Sequence, residues 1–274
     1  MESQTQPNHQ RTIVITGANK GIGFAIIEKL LASANSYNII LTARDPHRGE
    51  AAVKKLSATQ TQSASTLTYH RLDVNDDKSI QEFIDWLNKD GLKIDVLVNN
   101  AGIMHAKASL EQRKQTIQTN YLSLVHLTER LIPLLTDDGK VINISSILGS
   151  FAMISPSLKM ELEKPNLTEE DLQRLVDNIE KYHQDFTGAF DSSYCASKAL
   201  LNAWTQWVLP KKLKETQQCY CLAPGWCATD LGGHSAPLTA HDGADTPVYL
   251  IELPFKKHAD LNAKFIEKRQ VIPF

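Results

Sequence analysis

The chain carries almost no charge imbalance. Its 274 residues hold 29 Lys and Arg against 31 Asp and Glu, a formal net charge of -2. There is no electrostatic footprint for nucleic acid or for an anionic membrane. No apolar run approaches the roughly 20 residues of a membrane-spanning helix. Residues 1–10 are polar, lack the apolar centre of a secretory signal, and read as a flexible lead-in. The final Val271-Ile272-Pro273-Phe274 matches no retention or lipidation signal. Cysteine is scarce: Cys195, Cys219, Cys221 and Cys227. They form no Cys-x-x-Cys pair and have no His pair at zinc spacing, so no metal site is expected. They read as small buried hydrophobes of a cytoplasmic protein. Repeats, low-complexity tracts and Gly/Ser linkers are also missing, which favours one domain over residues 1–274. The apolar share of 42% and charged share of 22% are those of an ordinary globular protein. Secreted, membrane, disordered and nucleic-acid-packaging classes are thereby excluded.

What is present is an alternation. Apolar, β-branched runs at residues 12–16, 38–42, 67–72, 96–98, 141–144, 219–222 and 264–266 read as strands. Between them, 21–31, 49–56, 77–87, 110–135 and 194–209 carry helical spacing. Such alternation predicts an α/β fold: a doubly wound, Rossmann-like parallel sheet with helices on both faces. Residues 150–193 break the rhythm with a helical insertion. There Leu172, Leu175, Val176 and Ile179 share one side of 169–182, and Thr168 is a candidate N-cap. The insertion reads either as a surface addition or as a lid over a site.

The first strand runs into Thr16-Gly17-Ala18-Asn19-Lys20-Gly21-Ile22-Gly23. The usual Gly-x-Gly-x-x-Gly dinucleotide fingerprint fails here. The spacing is Gly-x-x-x-Gly-x-Gly, but the physics is shared. Glycines allow the turn and let backbone approach a pyrophosphate at a helix N-terminus. The second strand ends Leu41-Thr42-Ala43-Arg44. Arg44 can meet a 2′-phosphate bidentately and Lys20 can reach the same group, which favours NADP(H). Asp45 is the rival, since a carboxylate there would face the ribose of NAD.

These residues, with Asn99-Asn100-Ala101-Gly102, Asn120, Ser145-Ser146, Tyr194-x-x-x-Lys198 and Pro224-Gly225 followed by Thr229-Asp230, make the chain resemble the short-chain dehydrogenase/reductase family. Within it the chain looks most like the monomeric NADPH-dependent carbonyl reductases. That likeness rests on Gly17 to Gly23, Leu41 to Asp45, the insertion and Thr246-Pro247-Val248-Tyr249-Leu250. The resemblance implies hydride transfer between NADPH and a carbonyl, with Tyr194 as proton donor. Lys198 lies four residues on, so both share a helix face, and its charge is expected to lower the Tyr194 pKa from about 10. The family also implies that Lys198 bonds the nicotinamide ribose and that Asn120 holds a relay water. Ser146 is the implied hydroxyl donor to the substrate; from the residues alone, Ser145 competes with it. Asp73 and Val74 would meet the adenine, Asn100, Ala101 and Gly102 its ribose, and Pro224, Gly225, Trp226 and Thr229 the nicotinamide. Trp226 serves equally as pocket wall or core residue. Cys227 departs from the small aliphatic residue of many members, and Pro210 should end or kink the helix of Tyr194.

The small-molecule pocket would be lined by the stretch after Gly102, residues 147–157, Trp226 and residues 232–242. Phe151, Met153, Ile154 and Leu238 suit an apolar or aromatic carbonyl. Oxidation of an alcohol uses the same residues in reverse, and a non-catalytic dinucleotide sensor is the alternative from another class. A serine hydrolase is disfavoured, because there is no Gly-x-Ser-x-Gly elbow. The insertion, by resemblance, covers the face that other members use to oligomerise, so a monomer is expected.

Overall fold

The computed structural model describes residues 10–59, 63–105, 108–183, 192–254 and 259–274. Residues 1–9 of the lead-in and 184–191 of the insertion lie outside the described residues.

Each apolar run becomes a strand of one sheet. The strands are β1 (Arg11–Ile15), β2 (Tyr37–Ala43), β3 (Thr66–Arg71), β4 (Ile94–Asn99), β5 (Leu135–Ile144) and β6 (Gln218–Ala223). Two outlying strands, β7 (Cys227–Ala228) and β8 (Leu238–Thr239), form their own small parallel pair. Then β9 (Phe265–Glu267) and β10 (Gln270–Ile272) complete the main sheet, ordered β10-β9-β6-β5-β4-β1-β2-β3. The strand order reverses between β1 and β4, the switch point at which open α/β sheets bind ligands.

The central strands are buried on both faces, while the edge strands β3 and β10 are exposed or half-buried, and alternation sorts the central side chains between two cores. Val14, Ile40, Leu97, Val141 and Cys219 face one core. Ile13, Ile15, Ile39, Leu41, Val96, Val98, Ile142, Ile144, Tyr220 and Leu222 face the other. The helices are α1 (Gly21–Ala32), α2 (Pro46–Thr59), α3 (Asp77–Lys89), α4 (Leu110–Ile117), α5 (Ser123–Leu131), α6 (Pro156–Leu162), α7 (Glu169–Asp177), α8 (Ser192–Trp207), α9 (Leu209–Lys212), α10 (Ala240–Gly243) and α11 (Asp245–Glu252). Helices α1, α2 and α11 cover the second core, and α3 to α8 the first. The doubly wound arrangement is thus the expected one.

Four details differ from the sequence reading. The helical pattern of 110–135 is two helices joined by a π-helical turn, Gln118–Leu122, and Leu135 already belongs to β5. The amphipathic pattern of 169–182 stops at Asp177, where Asn178 bonds back to the Arg174 carbonyl, and resumes as a tight turn, Ile179–His183. Residues 264–266 are not the last strand. After β9 the chain reverses through Lys268 and Arg269, both at positive φ (47° and 63°), and β10 returns antiparallel. Left-handed pairs of this kind normally carry Asn or Gly, so Lys-Arg gives no turn signal. Arg269 is held instead by a bidentate pair with Asp245 at 2.7 and 2.5 Å. The small pair β7 and β8 is the fourth, too short for periodicity to register.

The insertion behaves as patterned. Thr168 and Asp171 form a capping box at the start of α7. Leu158, Leu162, Leu172, Leu175 and Ile179 are buried in the same core as Leu200, Leu201 and Trp204 of α8. Pro210 sits at the start of α9, just past the break that ends α8, as its missing N–H requires. A buried lysine braces the opposite core. Lys140 of β5 reaches the C-terminal end of α11 and donates to the carbonyls of Leu250 (3.0 Å) and Leu253 (2.5 Å), with Ile251 at 3.4 Å.

Candidate active site

The carboxyl ends of β1, β4, β5 and β6 converge on one crevice. After β1, Thr16 ties two strand ends together. Its Oγ1 accepts from the backbone N–H groups of Asn100 and Ala101, each at 3.0 Å. Asn100 Nδ2 returns the grip, donating to the carbonyls of Thr16 (2.8 Å) and Gly17 (3.2 Å). Gly17 has φ +61°, and a Cβ there would lie 3.0 Å from the Ala101 Cα. Gly21 has φ +60°, with the Thr229 methyl 3.5 Å from where its Cβ would be. Lys20, the N-cap of α1, offers that helix no side-chain cap, and Ile22 and Gly23 lie in its first turn. The uncapped N–H groups and the absence of side chains form a cradle suited to a pyrophosphate, with the half-buried Asn19 in the turn itself.

At the end of β2, Arg44 and Asp45 are placed differently. Asp45 accepts from the Arg48 backbone N–H at 3.2 Å and pairs with the Arg48 guanidinium at 3.5 Å, capping α2. Arg44 is exposed and, among the described residues, makes no ion pair. Lys20 pairs with Asp230 at 2.5 Å across the mouth of the crevice. Asp73 follows β3 and turns the chain by accepting from the Asn75 N–H at 3.0 Å; Val74 beside it packs against the first core. The paired asparagines at the end of β4 split. Asn99 turns into the core toward Thr128 and Asn143, both at 2.8 Å, while Asn100 faces the glycine turn.

The catalytic candidates meet deeper in the crevice. Tyr194 and Lys198 lie on one face of α8, both buried, with the Lys198 ammonium 5.8 Å from the Tyr194 ring centre. Lys198 Nζ donates to the Ile144 carbonyl at 2.8 Å. Ser146 hydrogen-bonds Tyr194 and accepts from the Leu148 N–H at 3.1 Å. Ser145 is turned away and buried, donating to Asn202 Oδ1 at 2.5 Å. The structure therefore brings Ser146, not Ser145, to the tyrosine. Asn120 lies in the π-helical turn, a local widening that often marks functional sites. It is fully buried and clasps Ile103: Oδ1 accepts from the Ile103 N–H at 2.8 Å, and Nδ2 donates to the Ile103 carbonyl at 2.9 Å. Gly102 lies between Asn120 and Lys198; a Cβ on it would be 3.3 Å from Asn120 Oδ1 and 3.8 Å from Lys198 Nζ.

The electrostatics differ from expectation in one respect. Burial pushes Tyr194 up to about 12, against a smaller downward pull from Ser146. Burial also brings Lys198 down to about 8. Desolvation of the two buried side chains outweighs the attraction expected from the spacing.

The fourth wall is the loop after β6. Pro224 and Gly225 (φ +83°) turn it outward, and Leu238 of β8 packs over Gly225. Thr229 Oγ1 accepts from the Gly232 N–H at 3.1 Å. Trp226 is not a core residue: it is 56% exposed, steadied by donating to the Gly232 carbonyl at 2.7 Å. Cys227 is buried, its Sγ 3.4 Å from the Pro224 carbonyl oxygen. Reading the sequence missed Asn202 and Thr16 as organisers of the site, since a small polar residue in an apolar pattern carries no signal of its partners.

A glycine turn at the switch point, with a buried tyrosine–lysine pair across the crevice, defines a dinucleotide-dependent oxidoreductase. The family model for short chain dehydrogenases matches residues 11–157, and the chain belongs to that family. It is 33% identical to carbonyl reductase (NADPH) 1 of Sus scrofa, over 97% of this chain and 94% of that protein. It is 34% identical to carbonyl reductase (NADPH) 1 of Homo sapiens, over 88% and 90%. Salutaridine reductase of Papaver somniferum superposes with a TM-score of 0.83 at 27% identity, covering 94% of this chain and 100% of that one.

Proposed function

We propose that the protein reduces the carbonyl group of a small apolar or aromatic molecule to an alcohol with NADPH. The observation that carries the reading is the juxtaposition of Tyr194, Ser146 and Lys198 beside an uncapped glycine turn. Its kinship with NADPH carbonyl reductases supports the same activity and cofactor.

NADPH, when bound, supplies the hydride. The remaining work falls to this chain. Gly17, Asn19, Gly21, Ile22 and Gly23 cradle the pyrophosphate, and Arg44 and Lys20 meet the 2′-phosphate. Asp73 and Val74 bound the adenine; Asn100, Ala101 and Gly102 bound its ribose. Pro224, Gly225, Trp226 and Thr229 frame the nicotinamide end. Tyr194 is protonated at neutral pH and gives its phenolic proton to the carbonyl oxygen. Ser146 donates to the same oxygen and stabilises charge developing there. Lys198 in its charged form stabilises the tyrosinate left behind. Asn120 holds the relay water that returns a proton toward Lys198. Trp226 and Leu231, both exposed at the loop, offer apolar surface to the substrate.

Tyr194→Phe tests the assignment. Turnover of a carbonyl panel, followed by NADPH absorbance, should fall at least ~100-fold, with NADPH binding retained. Undiminished turnover overturns it. Equal use of NADH and NADPH would overturn the roles of Arg44 and Lys20. We read residues 1–274 as one domain, and the protein as a cytoplasmic monomer. The insertion buries the outer side of α8 against Leu172 and Leu175, and the four cysteines are unbridged. Sedimentation at dimer mass would refute the monomer.

A further inference from the structure

Helix α8 presents three polar side chains at intervals of four: Tyr194, Lys198 and Asn202. On a helix these stand one above another on a single face. Each meets a different point of the β5 end. Tyr194 bonds Ser146, Lys198 bonds the Ile144 carbonyl at 2.8 Å, and Asn202 takes what lies around and beyond.

Asn202 is fully buried. Its Oδ1 accepts from the Ser145 hydroxyl at 2.5 Å and from the Cys221 thiol of β6 at 2.7 Å. Its Nδ2 donates to the Gly149 carbonyl at 3.2 Å. One side chain thus joins the residue before Ser146, the turn after it, and the neighbouring strand. The turn is held tightly: a Cβ on Gly149 would lie 2.6 Å from the Lys198 carbonyl carbon. Ser146 therefore stands between two anchors, Ser145 and Gly149, and both anchors end on Asn202. An apolar residue here would fill the space but strand buried donors and an acceptor.

We propose that Asn202 is a positioning residue for the reduction, fixing the Ser146 hydroxyl against Tyr194 by gripping the strand end on both sides of it. The proposal rests on the reading of Ser146 and Tyr194 given above. Displacement of a reacting group by about 1 Å can cost ~100-fold in rate. A residue acting through Ser146 must also lose its effect once that hydroxyl is gone.

The test uses Asn202→Leu and Asn202→Asp in the full chain, each with and without Ser146→Ala. Asn202→Leu should lower kcat ~10–100-fold while leaving the NADPH dissociation constant within ~3-fold. Asn202→Asp, which keeps an acceptor for Ser145 but loses the donor to Gly149, should lose ~2–5-fold. With Ser146→Ala present, Asn202→Leu should cost less than ~3-fold. Hydrogen–deuterium exchange gives a readout independent of turnover. Peptides covering residues 145–153 should exchange ~10-fold faster in Asn202→Leu, with those covering α1 unchanged. Equal losses in both backgrounds, or unchanged exchange over 145–153, overturn the proposal. If the wild-type chain reduces no carbonyl, the reading of function falls and the exchange result alone decides this inference. If Asn202→Leu does not fold, the same measurements on Asn202→Asp decide it, unaltered kcat and exchange there being the overturning result.

Discussion

Asn120 offers a sharp separation between a chemical and a structural part. Its side chain is fully buried in the π-helical turn and clasps both backbone polar groups of Ile103 at 2.8 and 2.9 Å, with Ser197 Oγ at 3.1 Å. Asn120→Leu keeps the approximate volume and removes all three bonds. A stranded buried polar group costs about 1–3 kcal/mol. Ile103 is only half-buried, so water can recover part of that loss. Two groups at the lower end of the range give about 2–4 kcal/mol. For 274 residues, just beyond the 150–250 for which 1 kcal/mol moves Tm by about 2–4 °C, the lower figure applies, so the drop should be about 4–8 °C. The assay is urea and thermal unfolding without cofactor, with the urea slope compared to confirm an unchanged transition. Asn120→Asp keeps the acceptor for the Ile103 N–H and should fall between the two. A residue that only holds a relay water would lower turnover and leave stability alone. A loss under about 1 kcal/mol in Asn120→Leu therefore refutes the clasp as a structural strap.

Three further outcomes are expected. Gly17→Ala puts a side chain at φ +61° and 3.0 Å from Ala101; urea unfolding should show a loss of about 1–3 kcal/mol, and NADPH titration a weaker complex. Unchanged binding would contradict the cradle. Reduction should hold steady below pH 8 and decline above it. Lys198 loses its charge near about 8 while Tyr194, near about 12, keeps its proton, so a rate that climbs through pH 8–9 contradicts the assignment. Lys140 is brought by burial from 10.5 to about 7. The unfolded chain then binds the extra proton between those values, and stability rises with pH across that window. Lys140→Met should flatten that rise. At pH 9 it should also cost about 1–3 kcal/mol by stranding the carbonyls at the end of α11; equal stability at pH 9 would be the contrary result.

The positions of the main strands along the chain were legible because burial on both sides leaves continuous apolar runs such as Ile13-Val14-Ile15 and Val96-Leu97-Val98. The site was legible where chemistry demands a residue type at a strand end: Gly17 and Gly21 in the turn, Tyr194 four residues before Lys198. Choices between neighbours were not. Ser145 and Ser146, like Asp45 and Arg44, are separated only by which way the chain turns after a strand, and that depends on partners such as Asn202 and the α2 N-terminus. The Tyr194 acidity was misjudged because spacing shows the nearby charge and hides the desolvation. The hairpin at Lys268-Arg269 escaped because its left-handed backbone is held by a tertiary contact to Asp245 rather than by a glycine.

Helix α8 is gripped from two sides. Its inner face is pinned by hydrogen bonds to the β5 end, and its outer face is sealed by Leu172 and Leu175 of the insertion. A helix so held can neither roll nor slide without breaking one set of contacts. Its angular freedom is spent, and under the proposed function adaptation to substrates of different shape would fall to the opposite wall. There Trp226 stands just before the short strand β7, and Leu231 rides on the loop between β7 and β8. Exchanging that loop between relatives should redirect substrate preference while the proton-transfer geometry stays as it is.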